Sequence, residues 1–151
     1  MHALFDGWIK LAAHLGENCV AQRRVIAGAE SCTGGLISAV LTSVSGSSAW
    51  VDRALVTYSN EAKMDLLGVN ASTLDAFGAV SEQTAREMAC GALRCADQSN
   101  APNLAYSVTG VAGPIGHREI AGLDVDEQRR RRVEIAQASG LADARLAEHQ
   151  Q

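Results

Sequence analysis

Ser31 and Cys32 sit where a strand pattern breaks, in Val25-Ile26-Ala27-Gly28-Ala29-Glu30-Ser31-Cys32-Thr33-Gly34-Gly35. A β-branched apolar run gives way to small polar residues and two glycines. Leu36, Ile37, Ala39, Val40 and Leu41 then resume the apolar pattern as a helix. A strand turning sharply into a helix places Ser31 near the helix N-terminus, where backbone N–H groups lack partners and the dipole favours negative charge. A hydroxyl there can attack a carbonyl while nearby amides receive the oxyanion. It can equally serve as an N-cap, for which serine is a preferred residue. Cys32 is the rival nucleophile, because a helix start also favours a thiolate.

A base for either nucleophile is available in Tyr58-Ser59-Asn60-Glu61-Ala62-Lys63. This run places a phenol at a strand end and an amine at the third position of a helix capped by Asn60. The positive end of that helix disfavours an ammonium, and partial burial pushes the same way, preparing Lys63 as a base near neutral pH. Read alone, Lys63 reads first as a surface lysine and Tyr58 as a strand-end packing residue. The loop Thr109-Gly110-Val111-Ala112-Gly113-Pro114 permits close backbone approach to a ligand, but as a bare pattern it is weak.

The elements that must position these groups follow from periodicity. Leu4, Trp8, Leu11 and Leu15, flanked by Phe5, Ile9 and Ala12, predict an amphipathic helix over residues 3–17. The run 25–30 is a strand, and 33–43 a helix. Ser45-Gly46-Ser47-Ser48 is a loop, 54–58 a strand, and a short helix runs to Leu67 before Gly68. Asn70 caps a turn of helix to Phe77, closed by Gly78. Ser81 caps a longer helix with the face Ala85, Met88, Ala89, Ala92, Leu93 and Ala96, and 104–108 is a third strand. Strands alternating with helices predict a single α/β domain, with Ser31 and Thr109 just past the carboxyl ends of strands, where ligands collect.

Composition narrows the partners. A net charge of −4 gives no reason to expect nucleic acid or an anionic membrane. No apolar run reaches bilayer length, and the N-terminus lacks a signal pattern, so the chain is read as cytoplasmic. Cys19, Cys32, Cys90 and Cys95 form no Cys-x-x-Cys pair and do not cluster with His2, His14, His117 or His149, which argues against zinc. Cys19, Cys90 and Cys95 are expected to pack as small apolar groups.

Five segments in order carry a resemblance. They are Ala29-Glu30-Ser31-Cys32-Thr33-Gly34-Gly35, Ser45-Gly46-Ser47-Ser48-Ala49-Trp50, Val56-Thr57-Tyr58-Ser59-Asn60-Glu61-Ala62-Lys63, Gly78-Ala79-Val80-Ser81 and Val108-Thr109-Gly110-Val111-Ala112-Gly113-Pro114. Together they resemble the CinA C-terminal domain family, the nicotinamide-nucleotide amidohydrolases, over roughly residues 5–114. The resemblance implies a three-layer α/β/α sandwich, commonly a homodimer. It implies hydrolysis of the carboxamide of nicotinamide mononucleotide to nicotinate mononucleotide and ammonia, with no metal and no other cofactor. It also implies Ser31 as nucleophile, Lys63 as its base and Tyr58 assisting the proton transfer or orienting the lysine. Thr33, Gly34, Ser48, Thr109 and Gly110 would lie around the substrate or the oxyanion.

After Pro114 the family's glycine-rich turn, Lys-Pro-Val-Gly-like segment, further strand and closing helix find no match. The stretch 115–151, with Arg129-Arg130-Arg131-Arg132 and few large apolar residues, reads as a divergent charged tail, helical or poorly ordered. The four arginines read as a solvated face. Two origins are open for this stretch, a shifted reading frame and a true divergence. The alternative function is accordingly a catalytically impaired, nucleotide-binding or structural remnant.

Overall fold

The computed structural model describes residues 2–94 and 102–111; the tail expected over 115–151, the missing final strand and helix, and Cys95 lie outside them. The order is α1 (His2–Ala21), β1 (Ile26–Glu30), α2 (Leu36–Thr42), a 3-10 turn (Ser47–Ala49), β2 (Val51–Val56), α3 (Asn60–Leu67), α4 (Ala71–Phe77), α5 (Glu82–Arg94) and β3 (Leu104–Val108). The three strands are parallel, in the order β2-β1-β3, so the strand leading to Ser31 is central.

Period-2 alternation along β1 sends successive side chains to opposite faces, and each face meets its own helical layer. Ala27 and Ala29 join Leu67, Val69, Leu74, Met88 and Ala92 in a core beneath α3, α4 and α5. Ile26 joins Ala12, Cys19, Leu41 and Trp50 beneath α1 and α2. The result is an α/β/α sandwich. Small residues on β1 let the layers close in: a Cβ on Gly28 would stand 2.3 Å from the Tyr106 ring.

Several local expectations are corrected. α1 is longer than residues 3–17, and it does not bury its large apolar residues. Its buried seam is the small-residue line Ala12, Gly16 and Cys19, with Gly16 pressed against the Trp50 indole, while Trp8, Leu11 and Leu15 are exposed. These larger residues rim an apolar cavity of about 600 Å³, shared with Leu36, Leu104 and Tyr106. β2 starts three residues earlier than read and ends at Val56. Cys90 is exposed rather than packed, whereas Cys19 is buried.

The helix after β1 begins at Leu36, not at Thr33. Gly34 and Gly35 take the left-handed conformation, with φ 59° and 96°, which holds the chain in a turn and makes Gly35 the N-cap. In α3 the cap is Ser59, whose hydroxyl accepts from the Ala62 N–H at 3.1 Å, rather than Asn60; Lys63 is therefore the fourth helical residue. Asn70, Gly78 and Ser81 hold the boundary positions read for them. Among the described residues, no helix is long and apolar enough to cross a membrane.

Candidate active site

Ser31 leaves the end of β1 on the face that carries α3, α4 and α5. Its N–H donates to the Val108 carbonyl at 2.9 Å, extending the β1–β3 ladder by one residue, and its side chain is buried. The cap reading of Ser31 is not what the structure shows, because α2 starts five residues later.

Lys63 approaches from the first turn of α3. Its side chain is 1% exposed. Its Nζ lies 3.0 Å from Ser31 Oγ, 2.9 Å from the Thr57 carbonyl and 3.1 Å from the Tyr58 carbonyl. Burial pushes the ammonium below the ordinary lysine range, and the electrostatic influence of neighbouring Cys32 opposes it more weakly. The two carbonyls can only accept. A neutral amine therefore spends both N–H bonds on them, and its lone pair is left for the Ser31 hydroxyl proton. This arrangement can activate an alcohol at a lower pH than an unperturbed lysine could.

Glu30, one residue earlier, points into the opposite layer and is fully buried. Its Oε2 accepts from the Thr33 hydroxyl at 2.6 Å and from the Gly35 and Ile37 N–H groups at 3.1 Å each. Its Oε1 accepts from the Ser38 N–H at 2.7 Å and the Tyr106 hydroxyl at 2.9 Å. Burial alone would raise this carboxyl, but the hydrogen bonds from Thr33, Ser38, Tyr106 and Ile37 together outweigh it and hold the group below the usual range. Burial, then the Glu30 charge, pushes the Tyr106 phenol far upward, so it stays a donor.

Glu30 therefore takes the orphan amides of α2, the groups expected to stabilise charge at Ser31. The N–H groups left without a partner among the described residues beside the nucleophile are those of Cys32 and Thr33. Sequence reasoning passed over Glu30. The available signal was a carboxylate ending an apolar strand, a buried charge that must find donors.

The remaining expected residues divide. Gly110 abuts the nucleophile loop, since an added Cβ would meet Cys32 Sγ at 3.0 Å. Thr109 lies at the same strand end, its hydroxyl donating to the Ala79 carbonyl at 2.8 Å and so tying in the Gly78-Ala79 loop. Tyr58 meets Lys63 through its carbonyl; its side chain is 70% exposed. Thr33 spends its hydroxyl on Glu30, and Gly34 supplies the turn. Ser48 is not brought to Ser31. It lines a separate cavity of about 500 Å³ with Gly35, Ser38, Thr42 and Asp52. Ser31, rather than Cys32, is the one held against Lys63. Among the described residues no cluster of three or more His, Cys, Asp or Glu could hold a metal ion.

This geometry has relatives. A family model described as the CinA C-terminal domain matches residues 9–123, reaching past Pro114, where the motif resemblance stops. The Nicotinamide-nucleotide amidohydrolase PncC of Enterobacter agglomerans is 50% identical over 107 residues, 71% of this chain and 63% of that protein. The protein of the same name from Escherichia coli strain K12 is 45% identical over 111 residues, 74% of this chain and 65% of its own length. The chain thus spans less than two thirds of these curated relatives. The crystal structure of competence/damage inducible protein CihA from Agrobacterium tumefaciens superposes with a TM-score of 0.66 at 50% identity, covering 71% of this chain and 62% of that one. With the matched model, the matched fold and the ordered motifs in agreement, the chain belongs to the CinA C-terminal domain family.

Proposed function

We propose that this chain hydrolyses the carboxamide of nicotinamide mononucleotide, with Ser31 as nucleophile and Lys63 as base. The observation that carries the proposal is the buried Lys63 Nζ at 3.0 Å from Ser31 Oγ, clamped by two carbonyls. The names of the two relatives, nicotinamide-nucleotide amidohydrolases, support a nicotinamide nucleotide as the substrate class.

An amide is a poor electrophile, so its hydrolysis needs an activated nucleophile, an oxyanion site and an acid for the leaving nitrogen. Lys63 takes the Ser31 proton as Oγ bonds to the carboxamide carbon. The oxygen that gains charge is received by the N–H groups of Cys32 and Thr33, which have no partner among the described residues. When the C–N bond breaks, the Lys63 ammonium returns the proton to the nitrogen, which leaves as ammonia. Water, deprotonated by Lys63, then cleaves the acyl-serine ester to release nicotinate mononucleotide. Tyr58 orients the lysine through its carbonyl. Gly110 and Thr109 wall the substrate side, and the resemblance to the family supports a homodimer.

The test is ammonia release, read together with calorimetric titration of nicotinamide mononucleotide. Turnover supports the enzyme. Binding without turnover supports a second reading, an impaired remnant, which is favoured by the family match stopping at residue 123. Neither binding nor turnover removes this substrate.

A further inference from the structure

Glu30 and Ser31 are adjacent, yet they serve opposite layers. The carboxylate of Glu30 gathers five donors: the Thr33 hydroxyl, the N–H groups of Gly35, Ile37 and Ser38, and the Tyr106 hydroxyl. Four come from the turn and first helical turn that directly follow Ser31. The fifth comes from β3, across the sheet. Gly28 makes that fifth contact possible, since any Cβ there would collide with the Tyr106 ring. No donor in this set faces the Ser31–Lys63 side.

We propose that Glu30 is a positioning residue for the hydrolysis, acting through the backbone of Ser31, Cys32 and Thr33. By holding Thr33 and the start of α2 to the far side of β1, the carboxylate fixes the turn that carries the nucleophile. It keeps Ser31 Oγ within reach of Lys63 and keeps the Cys32 and Thr33 N–H groups clear of partners among the described residues. It also supplies the negative charge that the α2 N-terminus favours, so this dipole does not compete for an anionic ligand. The proposal rests on reading Ser31 and Lys63 as the reacting pair.

Glu30→Gln tests it with little change in shape. A glutamine offers one oxygen and an NH2, and the NH2 must face donors, so at least one buried N–H loses its acceptor. The turn should shift while the Lys63 clamp, built from Thr57 and Tyr58, stays. Two readouts on the full chain separate the possible failures: turnover of nicotinamide mononucleotide, and the rate at which a fluorophosphonate labels Ser31, which needs no natural substrate. Both are measured well below each variant's melting temperature and across pH.

Glu30→Gln should lower kcat and the labelling rate by roughly 10- to 100-fold, the order expected for a misplacement of about 1 Å, with KM nearly unchanged. The midpoint of the rising pH limb should not move, because the surroundings of Lys63 are untouched. A folded Glu30→Gln that labels and turns over at wild-type rates overturns the proposal, as does a loss explained by a shifted pH midpoint. If Glu30→Gln fails to fold, Tyr106→Phe decides, since it removes one donor and leaves the charge. It should slow labelling a few-fold, and an unchanged rate overturns the proposal. Wild-type protein that labels but does not turn over removes the substrate and leaves Glu30 testable by labelling. Wild-type protein that does neither overturns the reacting pair and this inference with it.

Discussion

Two ionisable residues, Glu30 and Lys63, are buried on opposite sides of β1, and the fold treats them in opposite ways. Glu30 is surrounded by donors and kept charged; Lys63 is given two carbonyls and a hydroxyl, and its charged form is disfavoured. Burial opposes charge in both cases, so burial alone does not decide the outcome. The number and kind of partners decide it. On the Glu30 side four of the five hydrogen bonds come from local backbone and a neighbouring hydroxyl, in an arrangement suited to an anion that keeps its charge through the reaction. On the Lys63 side the partners are neutral acceptors, which fit an amine that gains and loses a proton. One side of the strand is a fixed support and the other is the reacting pair.

Replacing Lys63 should break this contrast most severely. Lys63→Arg keeps a cation but removes the base, because arginine does not deprotonate in proteins. Activity should fall by roughly 10²- to 10⁴-fold, the range for general acid–base catalysis. Ammonia release shows the loss, and circular dichroism confirms that the variant is folded.

A pH profile sharpens the contrast on the Lys63 side. The reacting form of Lys63 is the neutral amine, so kcat/KM should rise with pH along a limb whose midpoint lies below the 10.5 of an unperturbed lysine. A midpoint at or above that value would mean that burial does not govern this amine.

Acid stability sharpens it on the Glu30 side. The folded-state pKa of Glu30 is depressed, so its contribution to stability is fully present above the unfolded value, near 4.5, and is lost as pH falls through the folded pKa. Thermal melts should show wild-type protein more stable than Glu30→Gln at neutral pH, by about 1–3 kcal/mol for a buried donor left without its acceptor. The gap should close below about pH 4.5. A gap that stays constant with pH would assign the difference to packing rather than charge.

Much of this was legible in the sequence. β1, β3, the α5 cap at Ser81 and the glycine stops at 68 and 78 follow from local patterns, and Ser31 and Lys63 follow from their motifs. The meeting of Ser31 with Lys63, 32 positions apart, is tertiary and has no local signature. Glu30 had a local signal, a carboxylate closing an apolar strand with four of its five donors within eight residues, and only its bond to Tyr106, 76 positions away, is tertiary. The start of α2 was misplaced because two consecutive left-handed glycines keep the chain in a turn where the apolar pattern already looks helical. The resemblance alone puts Ser48 around the substrate, and no local pattern of the sequence places it; the fold sets the Ser47–Ala49 turn just ahead of β2, whose first residue pairs with Ile26 at the start of β1.

The smallest expected effect comes from Thr57. Its Oγ1 is buried with no hydrogen-bond partner among the described residues, beside the carbonyl that clamps Lys63. Thr57→Val removes the orphan hydroxyl and keeps the shape and the carbonyl. It should leave activity unchanged and hold or raise stability by up to about 1 kcal/mol. A drop in melting temperature would reveal a partner for that hydroxyl.

The most direct measurement is ammonia release from nicotinamide mononucleotide by wild-type protein and by Ser31→Ala, with Cys32 intact in both. The account predicts steady release from wild type, matched by nicotinate mononucleotide, and a loss of about 10³-fold or more without the Ser31 hydroxyl. Equal release by the two proteins would contradict it and remove Ser31 from the reaction.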